Sequence, residues 1–153
     1  MAYATREDVE SIFGARNVIK WADLDNENDA GDIDDRVTWA LDLATEMLDN
    51  RLFEGPYVVP FDTAPLEVVQ STARLAGVLL YEARGIPAVD GDGNPINQVA
   101  PHKKAVDDFV KGVMSGTIRF AALTRTRSTP KVIKVTPRVY DPLWCYRRSS
   151  RDC

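Results

Sequence analysis

Ile33, Val37, Leu41, Ala44 and Leu48 recur at the three- and four-residue spacing that lines one face of a helix, and Ala40, Met47 and Leu52 broaden the stripe. A second run repeats the pattern through Leu66, Val69, Ala73, Ala76, Leu80 and Ala83. Gly55-Pro56 stands between the two runs. A helix cannot continue through it, because proline lacks the amide hydrogen and its ring clashes with the preceding turn. Two long amphipathic segments separated by a breaker bury their apolar stripes by folding back on each other, so helix-on-helix packing is expected.

Caps and punctuation supply the remaining elements. Thr5 followed by Asp8 has the form of a helix N-cap with an acidic third position, and Gly14 is a stop after Val9, Ile12 and Phe13. A short helical piece over residues 15–22 carries Val18, Ile19 and Trp21, and an acidic loop over residues 23–32 follows it. Asp32 or Asp34 is expected to cap the long helix. The apolar connector Tyr57-Val58-Val59-Pro60-Phe61 is bounded by prolines, which favours a hairpin or edge segment over a central strand. Thr63 and Pro65 suit the start of the next helix, Gly77 and Ala76 leave room for a close neighbour, and Gly85 ends it. Residues 86–100 read as loop. Pro101 opens a last helix with Val106, Phe109, Val110, Val113 and Met114 inward, ended by Gly116, and Ile118 to Phe120 reads as a short extended piece. The fold class is therefore mainly α: a compact bundle of four to five helices with a short extended connector and an extended C-terminal arm.

The arm is defined by charge. Residues 1–123 hold eleven Lys and Arg against twenty-one Asp and Glu, a net of −10, whereas residues 124–153 hold eight against two, a net of +6. An acidic helical core over 1–123 and a basic arm over 124–153 are thus two different materials. The arm is rich in Thr, Ser, Pro and Arg and lacks the periodic apolar residues of a core. Its segment Lys131-Val132-Ile133-Lys134-Val135 suits strand addition to a partner's sheet edge. Tyr140, Leu143, Trp144 and Tyr146 are candidate anchors for apolar pockets, and Arg147, Arg148 and Arg151 candidates for acidic groups.

Candidate catalytic chemistry is sparse. The one histidine, His102, sits beside two lysines at a helix start and reads as solvated; no nucleophile elbow, phosphate loop or metalloprotease helix is written in the chain. Adjacent carboxylates such as Asp34-Asp35 and Asp107-Asp108 point to different sides of a helix and cannot flank a substrate. An enzyme is therefore not expected, nor any cofactor. Cys145 and Cys153 are too few and too terminal for a disulfide framework or a zinc site. In the acidic loop, Asp23, Asp25 and Glu27 alternate as in the first half of an EF-hand. The sixth position is then Asn28 where glycine is needed, and the twelfth is Asp34 where a bidentate glutamate is needed. Those three residues are weak candidates for a hard cation, and an acidic helix-capping turn explains the same letters, so no metal is assigned. No apolar run approaches the ~18 residues that cross a bilayer. The opening MAYATREDVESIF lacks the basic and apolar segments of a secretory signal, which makes synthesis in a reducing cytoplasm the default.

The opening M-A-Y-A-T-x-x-D-V-x-x-x-F-G, carried by Tyr3, Ala4, Thr5, Asp8, Val9, Phe13 and Gly14, resembles the start of Mu-like tailed-phage neck proteins, the head-to-tail joining family. The Asp-rich loop, the long helix, GPYVVPF with APLEVVQSTARLAGVLLYEAR, and a final helix ending in Gly116 follow in the same order, so that the likeness covers roughly residues 2–120. The arm after Leu123 and the insert Asp90-Gly91-Asp92-Gly93-Asn94 depart from the pattern. The resemblance implies an adaptor, or connector, in the virion neck, assembled in the host bacterial cytoplasm. Such adaptors form homo-oligomeric rings, usually of twelve copies, beneath the portal protein and above a stopper or tail protein. Genomic DNA passes through the channel without sequence-specific binding. The basic arm is the expected portal-docking element, and acidic residues lining the channel would repel phosphates. Other readings stay open: a stopper or head-completion protein of the same neck, a packaging-associated nucleic-acid-binding module using the basic arm, or a small cytoplasmic enzyme or calcium-regulated protein resting on the acidic loop.

Overall fold

The computed structural model describes residues 2–85 and 97–120. Five helices make up the described chain: α1 (Arg6–Phe13), α2 (Ala15–Ala22), α3 (Ala30–Leu52), α4 (Leu66–Glu82) and α5 (Ala100–Ser115). The mainly α bundle expected from the apolar periodicity is what forms, and no strand occurs among the described residues.

α4 is the axis of the bundle, touching each of the other four helices. Its buried residues (Val68, Ser71, Thr72, Ala73, Leu75, Ala76, Gly77, Val78 and Leu80) occupy nearly its whole circumference, as a helix surrounded by protein requires. The Thr72 hydroxyl, fully buried, donates to the Val68 carbonyl at 2.9 Å, so its polar atom is satisfied within the helix. Gly77 is what lets α1 approach: a Cβ there would lie far inside contact distance of the Phe13 ring. Phe13 in turn stacks edge-on against Trp21, with ring centroids 5.4 Å apart, so α1 and α2 dock on α4 through one aromatic pair.

The local starts and stops follow from capping. Thr5 and Asp8 form a reciprocal capping box, and Gly14, at φ +84°, both ends α1 and starts α2. The long helix is capped by Asp29, not by Asp32 or Asp34: the Asp29 carboxylate accepts from the Gly31 and Asp32 amides at 2.7 and 3.2 Å. Asp32 is left as first-turn charge, favourable beside the helix N-terminus, and Asp34 pairs with Arg6. Pro65 itself is the N-cap of α4, with no side-chain hydrogen bond from Thr63 or any other residue. Gly116 ends α5 in the left-handed conformation at φ +75°.

The connector between α3 and α4 is neither hairpin nor edge strand. Tyr57 and Phe61 are both buried in the core, and Val58 between them is exposed. Prolines at 56 and 60 remove the amide donors a strand ladder would use, so the segment is held by its aromatic side chains instead. Ile118 to Phe120 likewise forms no strand. Phe120 plugs the same end of the bundle, its ring 4.7 Å from Tyr57, 5.9 Å from Phe61 and 6.2 Å from Phe109, while its amide donates to the Tyr57 hydroxyl at 3.0 Å. The core therefore reaches residue 120, and the boundary at 123/124 lies outside the described residues.

Candidate interaction surface

Only the inward stripe of α3 is committed to the core: Ile33, Val37, Ala40, Leu41, Ala44, Thr45, Leu48 and Leu52 are buried. The outward face presents Trp39, 53% exposed, and helical spacing puts Asp42, Leu43 and Glu46 on the turns that follow it. Three further large apolar side chains are more than half exposed, Phe53, Val58 and Leu66, and all three belong to the end of α3, the connector and the start of α4. Single exposed apolar residues are ordinary; Trp39 on the outward face of α3, and Phe53, Val58 and Leu66 between the end of α3 and the start of α4, are the candidates for an interaction surface. None of the four was singled out from the sequence as a site residue. Trp39 was legible there, because it falls off the apolar stripe that its neighbours define.

Beside this face lies a cleft of about 790 Å³ between residues 2–3, α3 and the connector. Tyr3, Pro60 and Phe61 form its apolar wall, and Asp42, Glu46, Asp49 and Asp62 its acidic side. Tyr3 fixes the geometry. Its hydroxyl donates to Asp49 Oδ1 at 2.6 Å and accepts from the Phe61 amide at 2.8 Å, while its own amide donates to Thr45 Oγ1 at 3.3 Å. Burial, and then the hydrogen bond to the Asp49 carboxylate, hold the Tyr3 hydroxyl above the usual tyrosine range, so it remains a proton donor at any physiological pH. Among the described residues no ion pair engages Asp42, Glu46 or Asp62.

The acidic loop uses its carboxylates differently. Asp23 accepts from the Glu27 and Asn28 amides at 3.1 and 3.4 Å, and Asp25 pairs with Arg36 at 2.7 Å. Asn26 and Asn28 take the left-handed backbone that the tight turn needs. Arg84 donates to the carbonyls of Lys20 and Asp23, tying the loop to the end of α4. The Asp23 and Asp25 carboxylates are thus engaged with separate partners, and among the described residues no three His, Cys, Asp or Glu side chains are grouped to hold a metal ion. No described helix is long and apolar enough to cross a membrane.

His102 departs from its reading as a solvated residue. Its ring lies 4.6 Å from that of Phe13, half-buried against α1. Burial, and then the charge of Arg74, hold it below the usual histidine range. No local pattern hints at this, because a spatial neighbour eighty-nine positions away, Phe13, creates the environment. The arm residues Lys131, Val132, Ile133, Val135, Tyr140, Leu143, Trp144, Tyr146, Arg147 and Arg148 lie outside the described residues.

The family model described as "Bacteriophage Mu, Gp36" matches residues 3–135. The chain belongs to this bacteriophage family. No curated protein matches it. The extent of the Gp36-family match corrects one expectation from the sequence. It passes the charge boundary at Leu123 and runs through Val135, so Lys131-Val132-Ile133-Lys134-Val135 falls inside the family pattern. Residues 136–153, with the Tyr140–Arg148 aromatic and arginine cluster, fall outside it, as do residues 1–2. In this chain the match thus spans the helical body and the first part of the basic arm.

Proposed function

We propose that this Gp36-family chain is a structural, non-catalytic subunit of the phage neck, a head–tail connector that assembles as a homo-oligomeric ring against the portal protein. The observation that carries the reading is the family match across residues 3–135, and the form of the body supports it. A ring subunit needs a rigid wedge and at least one apolar lateral surface. Here a bundle built around α4 supplies the first, and Trp39 with Phe53, Val58 and Leu66 supplies a candidate for the second. Large aromatic residues that exclude water at the centre of a contact contribute most of its affinity. In the proposed ring of twelve the acidic body faces passing DNA without retaining it, because carboxylates repel phosphates.

Residues 124–153 dock on the portal in this reading. Tyr140, Leu143, Trp144 and Tyr146 enter apolar pockets, and Arg147 and Arg148 pair with acidic groups. Downstream, the ring is the platform for a stopper or tail protein. Co-sedimentation of the protein with purified portal rings tests the docking. The full chain is expected to pellet with the portal, and removal of residues 124–153 to abolish this while leaving the helical circular-dichroism signal of the body. Equal binding by both forms would overturn the assignment of the arm.

A further inference from the structure

We infer that the cleft between α3 and the 57–64 connector is the seat of the chain's own basic segment, residues 124–135, in the free subunit. Three observations converge on this occupant. The first is where the chain leaves the body. Phe120 packs edge-on against Phe61, ring centroids 5.9 Å apart, and Phe61 is the wall of the cleft. The last described residue thus lies one ring away from the proposed seat. Four further residues bring the chain to Thr124, and at about 3.3 Å per residue they span at most ~13 Å.

The second is chemical match. The cleft sets an apolar wall of Tyr3, Pro60 and Phe61 against Asp42, Glu46 and Asp62, which no described Lys or Arg neutralises. Residues 124–135 contain Arg125, Arg127, Lys131 and Lys134, no acidic residue, and the apolar Val132, Ile133 and Val135. Lys131-Val132-Ile133-Lys134-Val135 carries two cations and three β-branched apolar residues within five positions, so a short segment can meet both the carboxylates and the apolar surface of the cleft. The third is that the family match joins body and segment and ends at Val135, where the basic-apolar run ends.

Tethering makes the pairing effective without strong contacts. A segment attached beside its site acts at a local concentration of the order of millimolar, so weak charge pairing is enough to hold it. The consequence is a free subunit that covers its acidic cleft with residues 124–135 of its arm. This inference concerns contacts within one chain and is independent of whether the arm later grips a portal.

Zero-length carbodiimide coupling of the full chain tests it, with equal parts of ordinary and nitrogen-15-labelled protein at low micromolar concentration, read by peptide mass spectrometry. Lys103 and Glu82, 2.8 Å apart, give an internal positive control. Lys131 and Lys134 are expected to couple to Asp42, Glu46, Asp49 or Asp62 within chains of one isotope. That yield is expected to fall several-fold in ~1 M salt, where the screening length shrinks to about 3 Å. Three results would overturn the inference: coupling spread evenly over distant carboxylates such as Glu7 and Asp108, no coupling to the cleft while the Lys103–Glu82 link forms, or links joining light to heavy chains, which would mean that a second copy fills the cleft. In a parallel arm, Asp42→Asn/Glu46→Gln/Asp62→Asn removes three exposed charges without touching the core. Amide resonances of residues 124–135 are expected to move toward those of the free peptide; resonances unchanged from the parent chain would contradict the assignment.

Discussion

The N-terminal segment meets the body at two places, and the two contacts are built on opposite principles. At its far end Phe13 presses on Gly77, a dry contact fixed by the shape of a ring and the absence of a side chain. At its near end Tyr3 is held by hydrogen bonds to Asp49, the Phe61 amide and Thr45, on the wall of an open acidic cleft. The first contact tolerates no change of volume, because interiors are packed to crystal density. The second leaves polar atoms and space for something else to bind. Shape fixes the contact of Phe13 with α4, and polar atoms hold the contact of Tyr3 beside α3.

Phe13→Ala tests this division with the largest expected effect. It empties a site shared by α1, Trp21, Gly77 and His102, and should cost about 3–4 kcal/mol in urea unfolding. Gly77→Val should cost about 2–3 kcal/mol by overpacking against the ring. Gly77→Ala in the Phe13→Ala background should be neutral or stabilising, since the clash is gone and alanine gains about 1 kcal/mol of helix propensity over glycine. Equal costs of Gly77→Ala in both backgrounds would show that the contact is not steric.

Tyr3→Phe keeps the ring and removes the hydroxyl, stranding the Phe61 amide. A loss of about 1–2 kcal/mol is expected. A change as large as that for Phe13→Ala would erase the contrast between the two contacts. Smaller still, Trp39→Ala should leave stability within about 0.5 kcal/mol. It should weaken ring assembly as measured by sedimentation velocity, and an unaltered assembly profile would remove Trp39 from the proposed lateral surface.

The smallest effect is a pH dependence. The folded state holds His102 below its ordinary pKa, so the unfolded chain takes up this proton first as pH falls. The contribution is flat above about pH 7.5 and is lost as pH drops through 6.5 toward the lowered folded value. His102→Gln should flatten the urea midpoint between pH 7.5 and 5.5. A slope of opposite sign in the parent chain would mean that the imidazole is stabilised in its charged form.

Much of the body was legible because periodicity and caps are local signals. Leu41 and Leu48 sit on a 3.6-residue stripe, and Thr5 with Asp8 spells a capping box that forms as written. The cap of α3 was missed because the loop offers several aspartates in a row. The Asn26 and Asn28 backbone, with Asp23 closing the turn, selects Asp29. The cleft was illegible because it joins residues 2–3, 42–49 and 60–64, and no local pattern links them. Phe120 has no local signature of burial, since one aromatic residue carries no period; its place is set by Tyr57, Phe61 and Phe109. The exposed Trp39 was visible as an exception to its stripe, and exceptions of that kind are where function departs from folding.

Imaging of the purified protein mixed with portal rings, by negative stain, tests the central claim most directly. A connector predicts a second annular density stacked coaxially on the portal, with a rotational symmetry matching twelve copies and a continuous central channel. Portal rings that remain bare in a molar excess of well-folded protein, or protein bound only along DNA, would contradict it.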